Sequence, residues 1–190
     1  MKDGNIIQNV AVYLGSADVA EPLSRQAVID LAVYLAKHKM TLVFGGSNTG
    51  MMKLLADTML KNDGNVIGVF TKSLPERLIR HDLTEAVITE NLAERKAEML
   101  RRADAIVALP GSIGTFDELF DALAQKKLGL INCHIGVLDV NGFFDPLFEL
   151  LQNSRNLGFT SEKAFAMLQR GKTPEELFQN FNLNRKATEK

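Results

Sequence analysis

The chain has 190 residues, 46% of them hydrophobic and 24% charged, with a formal net charge of −1. That length suits one domain with a substantial core, and the near-neutral balance excludes a global pull toward nucleic acid or an anionic membrane. The one cysteine, Cys133, excludes an internal disulfide, and no apolar run approaches the roughly 18 residues of a membrane span.

The expected setting is therefore a reducing cytoplasm. The opening MKDGNIIQNV lacks the apolar core and cleavage site of a signal peptide, and the polar end from about residue 183 is expected to fray. Between them the chain alternates apolar runs with helical patterns. Strands are predicted at residues 10–15, 41–46, 65–70, 85–90, 104–110 and 134–140, with a weaker one near 164–168. They are short, rich in β-branched residues and almost continuously apolar, as strands buried on both faces of a parallel sheet are. Helices are predicted from Pro22, with Leu23, Ala27, Leu31 and Leu35 at four-residue spacing, then over 51–62, 92–102, 116–127, 144–153 and 173–181. Alternation at this spacing predicts a single α/β domain over 1–190, a doubly wound, Rossmann-like three-layer sandwich. Its mainly parallel sheet has about seven strands.

In such folds ligands bind beyond the carboxyl ends of the strands. Three glycine turns fall there: Gly15-Ser16 after the first strand, Gly45-Gly46-Ser47-Asn48-Thr49-Gly50 after the second, and Pro110-Gly111-Ser112-Ile113-Gly114-Thr115 after the fifth. Glycine lets backbone amides approach a ligand, and the following helix start favours an anion. A tight strand–helix turn also needs glycine for its own sake, so one such turn carries little and three at one edge carry more. The common nucleotide motifs are excluded. Gly50 is followed by Met51-Met52-Lys53 rather than by Lys-Ser/Thr, and the first turn reads GSADVA with no acid closing the second strand, so neither a P-loop nor a dinucleotide fingerprint is present.

The fifth turn runs into Phe116-Asp117-Glu118. Thr115-Phe116-Asp117-Glu118 has the form of a capping box, with Glu118 reaching back to the Thr115 amide, and acids in a first turn suit the helix dipole. The helix after the fourth strand carries Glu94-Arg95-Lys96-Ala97-Glu98. It reads as a solvated face, except that cations near a helix start oppose the dipole and invite an anion. His38, His81 and His134 have no ligand spacing, and no metal is expected.

Together these residues resemble the LOG ("lonely guy") family of nucleoside 5′-monophosphate phosphoribohydrolases. The resemblance rests on Arg95-Lys96 in a helix and on Pro110-Gly111-Ser112-Ile113-Gly114-Thr115-Phe116-Asp117-Glu118, which follows the family's P-G-G-x-G-T-x-x-E loop. It is supported by ERKAEMLRRADAIVALPG (94–111), GGSNTGMM (45–52) and NGFFDPL (141–147), and it runs from about Val10 to about Gly158. Ser112 replaces the family's second glycine, and Leu92-Ala93 stands where many relatives have Met-His. Pro75-Glu76-Arg77 lies where relatives carry a Pro-x-Glu feature, which is not carried over.

The resemblance implies hydrolysis of the N-glycosidic bond of AMP or an N6-modified AMP, releasing free base and ribose 5-phosphate without a cofactor. It implies Glu118 and Arg95 as catalytic residues. Gly111, Ser112, Ile113, Gly114 and Thr115 would hold the phosphate. Gly15, Ser16, Gly45, Gly46, Thr49, Gly50, Lys96 and Asp117 would complete the nucleotide site. A homodimer with pockets near its interface is implied as well, for which Phe143, Phe144 and Phe148 are candidates. The alternatives are a non-catalytic nucleotide or molybdenum-cofactor carrier on the same fold, and a structural or regulatory dimer that keeps only the scaffold.

Overall fold

The computed structural model describes residues 7–188, with backbone alone from residue 183 onward. Strands β1 (Asn9–Tyr13), β2 (Thr41–Phe44), β3 (Val66–Thr71), β4 (Glu85–Thr89), β5 (Ala105–Ala108), β6 (His134–Leu138) and β7 (Leu168–Gly171) form one sheet in the order β4-β3-β2-β1-β5-β6-β7. Every pairing is parallel. Each connection must therefore cross over the sheet. Helices α1 (Pro22–Lys37), α2 (Gly50–Lys61), α3 (Leu92–Arg102), α4 (Ile113–Lys127) and α5 (Asp145–Asn156) with the single-turn α6 (Glu162–Phe165) supply five of the six crossings, the β3–β4 connection carries only a short 3-10 turn (Glu76–Leu78), and α7 (Pro174–Thr188) follows the last strand.

Two apolar layers flank the sheet. Val28, Leu31 and Leu35 of α1 and Leu55 and Met59 of α2 pack with Leu177 and Phe181 of α7 on one face. Met99 and Leu100 of α3, Leu119 and Ala122 of α4 and Phe144 before α5 cover the other. The strand residues alternate between the two clusters, Val10 and Val12 facing one and Ala11 and Tyr13 the other, as the period of two requires. β1 has β2 on one side and β5 on the other, so the winding direction reverses there, and the crevice of a doubly wound sheet opens at that point.

Four expectations change. The last strand lies at Leu168–Gly171, not 164–168, because Ser161 caps a helical turn through Phe165. The fourth strand is the sheet edge and is largely exposed rather than buried on both faces. Phe144 is 1% exposed and belongs to the core, which removes it from any interface. The fifth-turn helix starts at Ile113, three residues before the expected Phe116. Helical backbone of α7 continues to Thr188, while the side chains of the polar end from 183 and residues 189–190 lie outside the described residues.

Candidate active site

The three glycine turns close into a ring at the carboxyl edge of β1, β2 and β5. The Gly15 amide donates to the Pro110 carbonyl at 3.4 Å, which joins the first turn to the fifth. A Cβ on Gly111 would stand 2.1 Å from Thr115 Oγ1 and 2.9 Å from the Gly15 nitrogen, so only glycine fits. The first turn also meets the second. The Met51 amide donates to the Ala17 carbonyl at 3.1 Å, and Thr49 Oγ1 donates to the Ser16 carbonyl at 3.4 Å. Gly50 there has φ +51°, and a Cβ would lie 2.3 Å from the Ser16 oxygen. The second turn touches α3, because the Arg95 guanidinium lies 3.6–3.7 Å from where a Cβ of Gly45 would be. Arg95 Nη2 then donates to Glu118 Oε1 on α4, which returns to the fifth turn.

Two helices meet across this ring through two parallel ion pairs. Arg95 pairs with Glu118, and Lys96 Nζ pairs with both carboxylate oxygens of Asp117 at 3.0 Å. The inner pair is shielded, with the Arg95 and Glu118 side chains 19% and 6% exposed. The outer pair is open on the Asp117 side. Burial pushes the Glu118 carboxyl above its ordinary 4.5, against the opposing pull of Arg95. The bond to Asp117 raises the Lys96 ammonium.

The local sequence explains why these cations are available. Asn91 caps α3 by accepting from the Glu94 amide at 2.9 Å, and Glu94 reaches back to the Glu90 amide at 3.0 Å. Glu98 is taken by Arg101 and Arg102. The two glutamates that flank Arg95-Lys96 are therefore occupied elsewhere, and the cations turn to α4. The solvated-face reading fails for Arg95 and holds only for the exposed side of this helix.

The capping box is absent. Ser112 is the N-cap of α4, with φ −114° and ψ −163°, and Glu118 is too far along the helix to reach back. Serine in this extended conformation carries no strain. No side chain caps α4, so its first amides remain open to an anion. Among the described residues, two buried polar atoms of the ring have no hydrogen-bond partner: Thr115 Oγ1 and Arg95 Nε. Buried polar groups are normally satisfied, and such orphans mark a place where a ligand supplies the missing atoms. Gly114 has open space where a Cβ would be, and Ile113 is 80% exposed beside it.

Tyr13 belongs to this place as well, beyond the residues that the sequence points to. It ends β1, is buried, and burial together with the nearby Glu118 charge raises its phenol well above 10.0. A tyrosine at the carboxyl end of an otherwise aliphatic strand was the available signal. Gly46 and Thr49 belong to the second turn, and among the described residues no hydrogen bond or ion pair links them to Glu118. Two hollows, of about 500 Å³ and about 300 Å³, lie apart from the ring around Asp145 and Arg170.

A family model described as "Possible lysine decarboxylase" matches residues 52–181, which includes Arg95 and Glu118. A rice (Oryza sativa subsp. japonica) protein, named cytokinin riboside 5′-monophosphate phosphoribohydrolase LOG, is 34% identical over 171 residues, spanning 90% of this chain and 71% of its own. The chain belongs to the LOG family. A member from Arabidopsis thaliana with the same activity in its name is 31% identical over 173 residues, 90% of this chain and 81% of its own. Among solved structures, TM1055 superposes with a TM-score of 0.69 at 25% identity over 93% of this chain and 99% of its own. The molybdenum cofactor binding protein of Rippkaea orientalis gives 0.69 at 20% identity over 92% and 95%, and so shares the fold.

Proposed function

We propose that this LOG-family chain hydrolyses the N-glycosidic bond of a nucleoside 5′-monophosphate, AMP or an N6-modified AMP such as a cytokinin riboside monophosphate. One observation carries the reading: a buried carboxylate, Glu118, paired with an arginine and placed about one and a half helical turns from an uncapped helix start. A ribose 5-phosphate needs both features a few ångströms apart. The names of the relatives at 31% and 34% identity support the same activity.

In the reaction the C1′–N bond breaks and its electron pair leaves with the base. Water adds its oxygen to C1′, and its proton balances the base nitrogen. Positive charge develops on the ribose, and a desolvated carboxylate stabilises it far better than an exposed one. Glu118 is assigned that role, and Arg95 offsets part of the cost of burial that raises its carboxyl. The open amides of Ile113, Gly114 and Thr115, with the Thr115 hydroxyl, are assigned to the phosphate. Arg95 donates through its free Nε to phosphate or departing base, and Lys96 with Asp117 borders the ribose. Gly15, Ser16 and the Gly45–Gly50 turn form the facing wall. The exposed Ile113, Phe120, Leu150 and Leu157 on the outer side of α4 and α5 support a homodimer as the working form.

The test is release of free base from AMP, N6-isopentenyl-AMP, GMP and CMP, followed by chromatography with Glu118→Gln as control. Wild-type-only release supports the reading, and the relative rates name the base. The structural likeness to molybdenum-cofactor carriers favours a second reading, a carrier. Tight nucleotide binding without base release would select it.

A further inference from the structure

The Gly45–Gly50 turn is held from outside by a segment that precedes the edge strand. Between β3 and β4 a short 3-10 turn, Glu76–Leu78, leads into Ile79, Arg80, His81 and Asp82. Ile79 forms an antiparallel bridge with Ser47. The Asn48 amide donates to the Leu78 carbonyl at 2.8 Å, and the Arg80 amide donates to the Gly46 carbonyl at 3.2 Å. Three consecutive turn residues are thus stitched to three consecutive loop residues, in a chain that otherwise pairs its strands in parallel.

The loop is itself anchored by one buried side chain. The Arg80 side chain is 6% exposed. Its Nη1 donates to Asp57 Oδ1 at 2.5 Å, and Asp57 sits two turns into α2, the helix that the Gly45–Gly50 turn begins. Its Nη2 donates to Asp82 Oδ2 at 2.8 Å within the loop. A planar guanidinium can hold two carboxylates at once, which an ammonium cannot do in fixed geometry. Glu76 is spent on the exposed side, against His81 at 3.2 Å, so the Pro75-Glu76-Arg77 segment is not what faces the turn.

We infer that Arg80 is a positioning residue, clamping the Gly45–Gly50 turn between α2 and the 76–82 loop so that the wall under Arg95 is preformed. The contact runs from Arg80 to the loop, from the loop to Gly46 and Asn48, and from Gly45 to the Arg95 guanidinium. Arg95 and Glu118 hold each other directly, so loosening the clamp weakens binding more than chemistry. Only this last step rests on the proposed hydrolysis; the clamp itself is a property of the empty protein.

Hydrogen exchange on the full chain separates the two. In Arg80→Met the Asn48 amide is expected to exchange about tenfold faster, while the Val10–Val12 amides of the central strand keep their rates. KM for AMP is expected to rise about tenfold with kcat within about twofold, and Arg80→Lys to fall between the two. Unchanged Asn48 exchange, or an acceleration shared equally by β1, overturns the clamp. Faster Asn48 exchange with the wild-type KM overturns the positioning role. A wild type that releases no base from AMP defeats the proposed reaction and leaves the exchange result to decide the clamp. Should Arg80→Met fail to fold, Asp82→Asn removes one arm at an exposed carboxylate and must shift Asn48 in the same direction, by less.

Discussion

Replacing Arg95 with alanine leaves a buried carboxylate without its cation. The Glu118 side chain is 6% exposed, and burial already pushes its carboxyl above 4.5 with Arg95 opposing the rise. Without Arg95 the folded value climbs further. Keeping the bare charge in place would cost several kcal/mol, so the group takes up a proton instead. Protonating a carboxyl whose unfolded value is near 4.5 costs about 1.4 kcal/mol per pH unit, which caps the penalty at about 3 kcal/mol at pH 7 and below about 1 at pH 5. The direction follows from the raised folded value: the stability is present below the unfolded value and is lost as pH rises through the folded one. Urea unfolding of Arg95→Ala and wild type at pH 5 and pH 7 reads this directly, and the difference between the two proteins should grow by about 2 kcal/mol toward pH 7. Lost packing against Gly45 adds a part that does not change with pH. The double variant with Glu118→Gln should show no such growth. A difference of the same size at both pH values would refute a buried, Arg95-dependent Glu118.

Other outcomes follow from the same ring. The acid limb of kcat/KM for AMP should fall above pH 4.5, since Glu118 acts ionised and is held above that value, and Asp117→Asn should move the limb down because the Asp117 charge contributes to the rise. Gly111→Ala would place a methyl 2.1 Å from Thr115 Oγ1, 2.7 Å from Thr115 Cβ and 2.9 Å from the Gly15 nitrogen. It should cost about 1–3 kcal/mol in chemical denaturation and raise KM, with part of the loss recovered by adding Thr115→Ala. Ser112→Gly should leave stability unchanged or lower it by about 0.5 kcal/mol, because φ of −114° asks nothing of glycine. A gain of stability in that variant would show strain at Ser112.

The alternation of apolar strands and amphipathic helices is enough to place six of the seven strands and the doubly wound class, because short apolar runs leave a local signature in the buried strands and in the exposed edge strand β4 alike. β7 escaped because Leu168-Gln169-Arg170-Gly171 carries no such run; it is an edge strand whose place comes from pairing with β6. The start of α4 differs from the local pattern for a related reason. Thr115 and Glu118 have capping spacing, but Gly111 and Ser112 set the turn earlier, and the contest was settled by how close Gly111 comes to Gly15 across two strands.

By itself the sequence determined most of the elements, the glycine turns and the family resemblance, since these are encoded in spacing along the chain. Only the tertiary structure decided that Arg95 faces Glu118 rather than its neighbours Glu94 and Glu98, and that Arg80 stands behind the Gly45–Gly50 turn. Both depend on residues 23 positions apart meeting where parallel crossovers bring separate helices and loops to one edge of the sheet. No local pattern records a distance between elements; the packing that buries their apolar faces sets it.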